Sequence, residues 1–138
     1  MAAELHTEGL QFLLEVAFSE EQSVPANFYI GLATDASLAE DAALTDLTEV
    51  SGTGYARQSV ASNNTDFTSA THGTNDRKTT TKSVTFTAGG TWTGANTAFL
   101  ATTSDNTGKL ICSAPLSQTR TLVNTDTLSF DFQIALTG

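Results

Sequence analysis

Charge, sulfur and proline are all scarce in this chain. Only 15% of its 138 residues are charged, one is cysteine (Cys112) and two are proline. A lone cysteine permits neither an intramolecular disulfide nor a thiolate metal cluster, so stability has to come from packing and from assembly. The two histidines, His6 and His72, have no partner at metal-ligand spacing, which argues against a zinc or iron site; both are expected to be solvated. No apolar run approaches the roughly 18 residues of a membrane span. Glu4 and Glu8 stand where a secretion signal would carry Lys or Arg. The expectation is a soluble chain made in the cytoplasm, with no membrane partner and no cofactor.

Bases are scarcer than acids, six against fifteen, for a net charge of -9. Residues 1–56 hold Glu4, Glu8, Glu15, Glu20, Glu21, Asp35, Glu40, Asp41, Asp46 and Glu49 and no base at all. Such a half-chain cannot offer the basic stripe that nucleic acid requires, so no nucleic-acid partner is expected. It suits a partner with a basic surface, although solubility alone would also account for it.

What the chain does have is threonine, at 25 positions, and a hydrophobic fraction of 39%. With few charges and one domain's length, that composition reads as a β-rich globular fold. Leu10, Leu13, Leu14, Ala17 and Phe18 recur at helical spacing, predicting one amphipathic helix with Thr7 as its N-cap. Gly9 weakens its first turn, and Ser23-Val24-Pro25 ends it. Residues 1–22 are therefore taken as a helical segment and 23–138 as β-sandwich, together one domain.

Strands are predicted at Asn27–Ala33, Tyr55–Ala61, Ser83–Ala88, Thr97–Ala101, Leu110–Ala114 (closed by Pro115) and Leu128–Leu136. The last is long enough to cross a whole sheet. Between them lie an acidic connection from Thr34 to Gly54, with a helical turn expected at Ser37–Ala43, and a polar loop or long hairpin tip from Thr68 to Lys82. A hairpin turn is expected at Ser104–Lys109. Many short strands with Gly, Asn and Asp turns indicate a mainly β, antiparallel sandwich or jelly-roll-like fold behind one N-terminal amphipathic helix.

Catalytic chemistry is hard to find. Cys112 sits among apolar neighbours in a predicted strand, where a free thiol is a small core residue. Glu20-Glu21 and Glu40-Asp41 are chain neighbours in polar stretches and lack the separation of a glycosidase pair. Glycines 52, 54, 89 and 90 lack the context of a phosphate cradle. Trp92 and Tyr55 are read as core or interface aromatics. Arg57, the one base inside a strong strand, calls for a carboxylate or carbonyl partner within the chain or on another chain.

The order of the helix Leu10 to Phe18, then Phe28-Tyr29-Ile30-Gly31-Leu32, Gly54-Tyr55-Ala56-Arg57-Gln58, Val84-Thr85-Phe86, Trp92, Gly108-Lys109-Leu110 and Asp126-Thr127-Leu128-Ser129-Phe130 resembles a family of small tailed-bacteriophage structural proteins. These serve as head decoration, cement or tail-fibre-like proteins. The resemblance implies a non-enzymatic virion component, commonly trimeric when it decorates capsids, and supplies no active-site residue. The favoured expectation is a capsid cement protein binding the major capsid protein as a homotrimer. The alternative is a tail or fibre component touching a receptor through the polar loops at 68–82 and 102–109. The candidate interface residues are Leu10, Leu13, Leu14 and Phe18 on the helix, Asp35, Glu40, Asp41, Asp46 and Glu49 in the acidic connection, and Arg57. The helix stripe serves equally to cap the chain's own sandwich or to lie across a neighbour.

Overall fold

The computed structural model describes residues 2–68, 71–72 and 76–137. It is mainly β, with a helix near the N-terminus. Strands β1 (Ala2–Leu5), β2 (Asn27–Ala33), β3 (Gln58–Ala61), β4 (Thr71–His72), β5 (Asp76–Thr80), β7 (Ala95–Ala101), β8 (Leu110–Arg120) and β10 (Gln133–Thr137) form one sheet in the order β3-β2-β7-β8-β1-β10-β5-β4. The strands β6 (Val84–Thr87) and β9 (Thr127–Phe130) form a separate two-stranded ribbon. The large sheet is mixed, because β1 runs parallel to β10 and antiparallel to β8.

Alternation along β2 and β7 divides the interior in two, as period-two side chains must. Ile30, Leu32, Ala98 and Leu100 join Phe86, Trp92 and Phe132 in the larger core, which holds buried side chains from both the sheet and the ribbon. Ala33, Phe99, Ala101 and Leu110 form a second core with Leu44 of the acidic connection. Gly31 faces Phe99 across the β2–β7 pair. A Cβ there would stand 2.3 Å from the end of the Phe99 ring, so glycine makes room for the aromatic.

Several segments differ from their sequence-based expectation. The strand expected at Tyr55–Ala61 begins only at Gln58, which leaves Arg57 outside it, and the polar stretch expected as a loop at 68–82 contains β4 and β5. Two further strands differ in extent. Leu128–Leu136 does not run as one strand. It breaks at Asp131-Phe132, and the chain passes from the ribbon to the large sheet. The crossing is fastened by Thr81, whose amide donates to the Phe132 carbonyl at 2.9 Å and whose hydroxyl accepts from the Phe132 amide at 3.0 Å. The strand at Leu110 is not closed by Pro115; β8 continues to Arg120. Pro115 lies at a register irregularity opposite Thr97 and beyond the last residue that pairs with β1, the kind of place in a sheet where proline is tolerated.

The N-terminus departs furthest. Ala2–Leu5 is a strand that joins the β8 half of the sheet to the β10 half, and the helix begins only after it, as α1 (Thr7–Leu14). A π-helical turn, Glu15–Ser19, extends α1, and Glu20, in the left-handed region at φ 56, ends it before the Ser23-Val24-Pro25 stop is reached. Thr7 is not the N-cap. That position belongs to His6, which is buried rather than solvated. The expectation for the side chain of His72 lies outside the described residues. The short helical turn of the acidic connection falls at Leu44–Asp46, not at Ser37–Ala43.

Helix α1 is placed by a β-bulge. Leu100 pairs with Cys112 but Ala101 pairs with Leu110, leaving Ile111 as the extra residue. The Ile111 carbonyl accepts the His6 amide at 3.0 Å, and Gly9 lies so close that a Cβ would stand 2.2 Å from that oxygen. The Gly9→Ala change therefore sets two effects of opposite sign against each other, since Ala is the better helix former by about 1 kcal/mol. The contact wins: the variant loses about 1–3 kcal/mol through forced displacement of backbone, read as a lowered midpoint in thermal or urea unfolding. A rise in the midpoint would contradict the close approach.

Candidate interaction surface

Once Gly9 is pressed on Ile111, the orientation of α1 is set. Phe12 turns inward and meets the edge of Phe28, with ring centroids 6.2 Å apart and an interplanar angle of 89°. The opposite consequence is that Leu10, Leu13, Leu14 and Phe18 stand exposed, Leu14 at 60% and Phe18 at 82%. The periodic stripe read from the sequence is real, but it is not the side of the helix that packs on the core.

Beside it lies an apolar cleft of about 270 Å³, lined by Phe12, Leu13, Phe28, Ile111, Ile134 and Leu136 among others. Leu13 belongs to both features, so stripe and cleft form one surface. Leu136, 52% exposed, continues it onto β10. The charged part of the lining is Arg77 and Lys78 of β5, both exposed. Contiguous exposed apolar surface of this kind is the candidate interaction surface of the chain.

The acidic candidates divide. The side chains of Glu40 and Asp41 are exposed. The Asp35 carboxylate accepts the Thr48 amide at 2.8 Å and the Asp46 carboxylate accepts the Ala43 amide at 2.8 Å, so both hold the connection in shape. Glu49 and Arg57 form a fork-to-fork pair, with both nitrogen-oxygen distances 2.9 Å. The remaining guanidinium donors reach the carbonyls of Thr103 and Asp105 and the Asn106 side-chain oxygen. All five N–H groups of Arg57 are thus used within the chain. Its side chain is only 3% exposed, and it lies 5.0 Å from the centre of the Phe99 ring. Arg57 is a strut between the acidic connection and the hairpin turn at 102–109.

Tyr55 completes that strut. Its hydroxyl donates to Glu49 at 2.7 Å and accepts the Leu32 amide at 2.8 Å. Burial, with the Glu49 carboxylate adding to it, raises the phenol well above its ordinary range, so Tyr55 remains a donor. Trp92, buried, donates its ring N–H to the Thr53 carbonyl at 2.8 Å and stands edge-on to Tyr55. Cys112 is fully buried and its thiol is pushed up to about 12 by burial, the behaviour of a core residue.

Three residues that carry the placement of the surface had no assigned role in the sequence. The His6 ring faces the Glu40 carbonyl through Nδ1 at 3.2 Å and the Ser113 hydroxyl through Nε2 at 2.7 Å; because a carbonyl only accepts, Nδ1 carries the proton. Glu8 accepts the amides of Leu44 and Leu110 at 3.1 and 2.8 Å, joining the helix, the acidic connection and β8. Gly9 is the contact already described. A glycine in the first turn of an amphipathic helix is the one sequence signal that could have pointed here, as a mark of close backbone approach. The cleft, built from seven separate segments, left no local pattern to read.

What these features define is a β scaffold that leaves an apolar helix face uncovered. The sequence model of a phage family described as podophage GP4 fiber I protein gp80 matches residues 10–136, and the chain belongs to that family. It is a phage structural protein and part of the virion. The match favours the fibre alternative over capsid cement. No curated protein matches the chain.

Two outcomes follow for stability. Arg57→Lys keeps the charge but loses the fork, and is expected to cost about 2–3 kcal/mol, seen as a lower unfolding midpoint; an unchanged midpoint would show that the strut carries no load. The carboxyl of Asp66 is held below its ordinary value by Lys82 and the Ala61 amide, and that of Asp105 by the hydroxyl and amide of Thr107. Folded-state values below the unfolded ones mean that their stabilising effect is present above the unfolded carboxylate pKa and lost as pH falls through the folded one. Unfolding midpoints should therefore drop on acidification through the carboxylate range, and Asp66→Asn should make that drop shallower.

Proposed function

We propose that the chain is a fibre component of the phage particle that works by adhesion and shape, with no catalytic step. The observation that carries this is the uncovered stripe Leu10, Leu13, Leu14 and Phe18 on a chain whose family is that of a fibre protein. Apolar area of this kind is stabilised by covering it, at about 25 cal/mol per Å². A repeated, symmetric contact turns weak individual interactions into long-lived attachment. Self-association as a homotrimer is the assembly this reading takes. Glu40 and Asp41 supply the acidic part of the contact surface, while Asp35, Asp46, Glu49 and Arg57 hold its shape.

The receptor-facing element in this reading is the turn at 102–109. It is exposed at its tip, and its threonine hydroxyls accept the amides of Lys109 and Gly108 at 2.9 and 3.0 Å. Arg57 braces it from beneath. A preformed polar loop on a β scaffold suits recognition, since little ordering entropy is left to lose on binding.

Gold-labelled antibody against the chain, imaged on intact particles by electron microscopy, separates the alternatives. Label at the fibres is expected, and label spread over the head would instead favour capsid decoration. Isolated chain added in excess should also slow adsorption of particles to the host, more weakly with an Asn106→Ala, Thr107→Ala turn variant.

A further inference from the structure

The exposed helix stripe and the apolar cleft share one face of the molecule but cannot satisfy each other. Leu13 already lines the cleft, and α1 is fixed by the Ile111 contact, so Leu14 and Phe18 of the same helix stay outside its lining and exposed. Both features stay uncovered in a single copy. Their charges are opposite. The helix and the turn after it carry Glu15, Glu20 and Glu21 within a stretch of 56 residues that has no Lys or Arg. The cleft is flanked by Arg77 and Lys78, two of only six bases in the chain.

We infer that the cleft receives the N-terminal helix of a second copy, with Phe18 and Leu14 entering among Phe28, Ile134 and Leu136 and the acids of that helix meeting Lys78. This rests on the reading of the chain as an assembling virion component and specifies how copies meet. The contact pairs unlike features: a stripe on one copy meets a cleft on another, so each copy both gives and receives. A reciprocal pairing of two copies and a closed ring of copies each leave neither feature uncovered. Apolar burial supplies the attraction, and the opposite charges select the orientation and disfavour stripe-on-stripe pairing, which would bring acid against acid.

The test is disulfide trapping between two single variants, Phe18→Cys and Leu136→Cys, mixed under mild oxidation. Cys112 is fully buried and does not compete. Both changes are at exposed positions, and circular dichroism checks that each variant is folded. The mixed disulfide should form on the order of 10²-fold faster than that between Phe18→Cys and a control Val123→Cys, exposed and outside the cleft, as expected for residues held at high effective concentration. Adding Lys78→Glu to the Leu136→Cys chain should slow trapping, and adding Glu20→Lys to the Phe18→Cys chain should recover it. Trapping no faster than the control, a predominance of Phe18→Cys self-disulfide, or indifference to Lys78→Glu would each overturn the inference. Particle labelling at the fibres without trapping would leave the fibre reading standing and remove this one alone.

Discussion

The fit of the helix N-terminus against the β-bulge at Ile111 decides what the rest of the molecule can do. Three adjacent sequence features meet there: a buried His6 bonded to Ser113 and the Glu40 carbonyl, a Glu8 carboxylate bridging two amides, and a glycine that lets backbone touch backbone. Move the helix out by the width of a methyl group and Phe12 leaves the core. With the contact in place, the helix is fixed in rotation as well as position, and its apolar stripe is directed outward. An exposed Leu or Phe taken singly needs no explanation, but four on one rigid helix, continuous with an apolar cleft, are a surface.

A second theme is the use of charge as internal carpentry. The acidic first half of the chain reads from composition as a field aimed at a partner. Much of it is spent at home: Glu8, Asp35, Asp46 and Glu49 all accept hydrogen bonds from the chain's own amides or from Arg57. Such charge-assisted bonds add to the apolar anchoring of this connection by Leu44 and Val50. The longest irregular connection is thereby held against β2, β8 and the 102–109 turn, which fixes this loop without a disulfide.

Strong local patterns were legible in the sequence. Asn27–Ala33 is a strand over its full predicted length, and Val84–Thr87 keeps its inward Val84 and Phe86, because alternation of apolar side chains is a property of the segment itself. Features set by partners were not. Ala2–Leu5 has no strand pattern and is a strand only because β8 and β10 offer it edges on both sides. The break at Asp131-Phe132 comes from Thr81, about fifty residues earlier in the chain, and β8 runs through Pro115 because β1 has already left its flank. The helix stripe was visible as a pattern, yet its direction was not: the inward face is defined by Gly9 and Phe12, and glycine carries no weight in a hydrophobic period.

If the outward stripe is the contact on which fibre assembly depends, its exposure must change between the free chain and the particle. Hydroxyl-radical footprinting, read residue by residue on dilute isolated chain and on intact virions, measures this directly. Strong labelling of Leu14 and Phe18 is expected in the isolated chain and its loss in virions, with exposed Val123 on the β8–β9 connection labelled alike in both. Equal labelling of Leu14 and Phe18 in the two samples would contradict it.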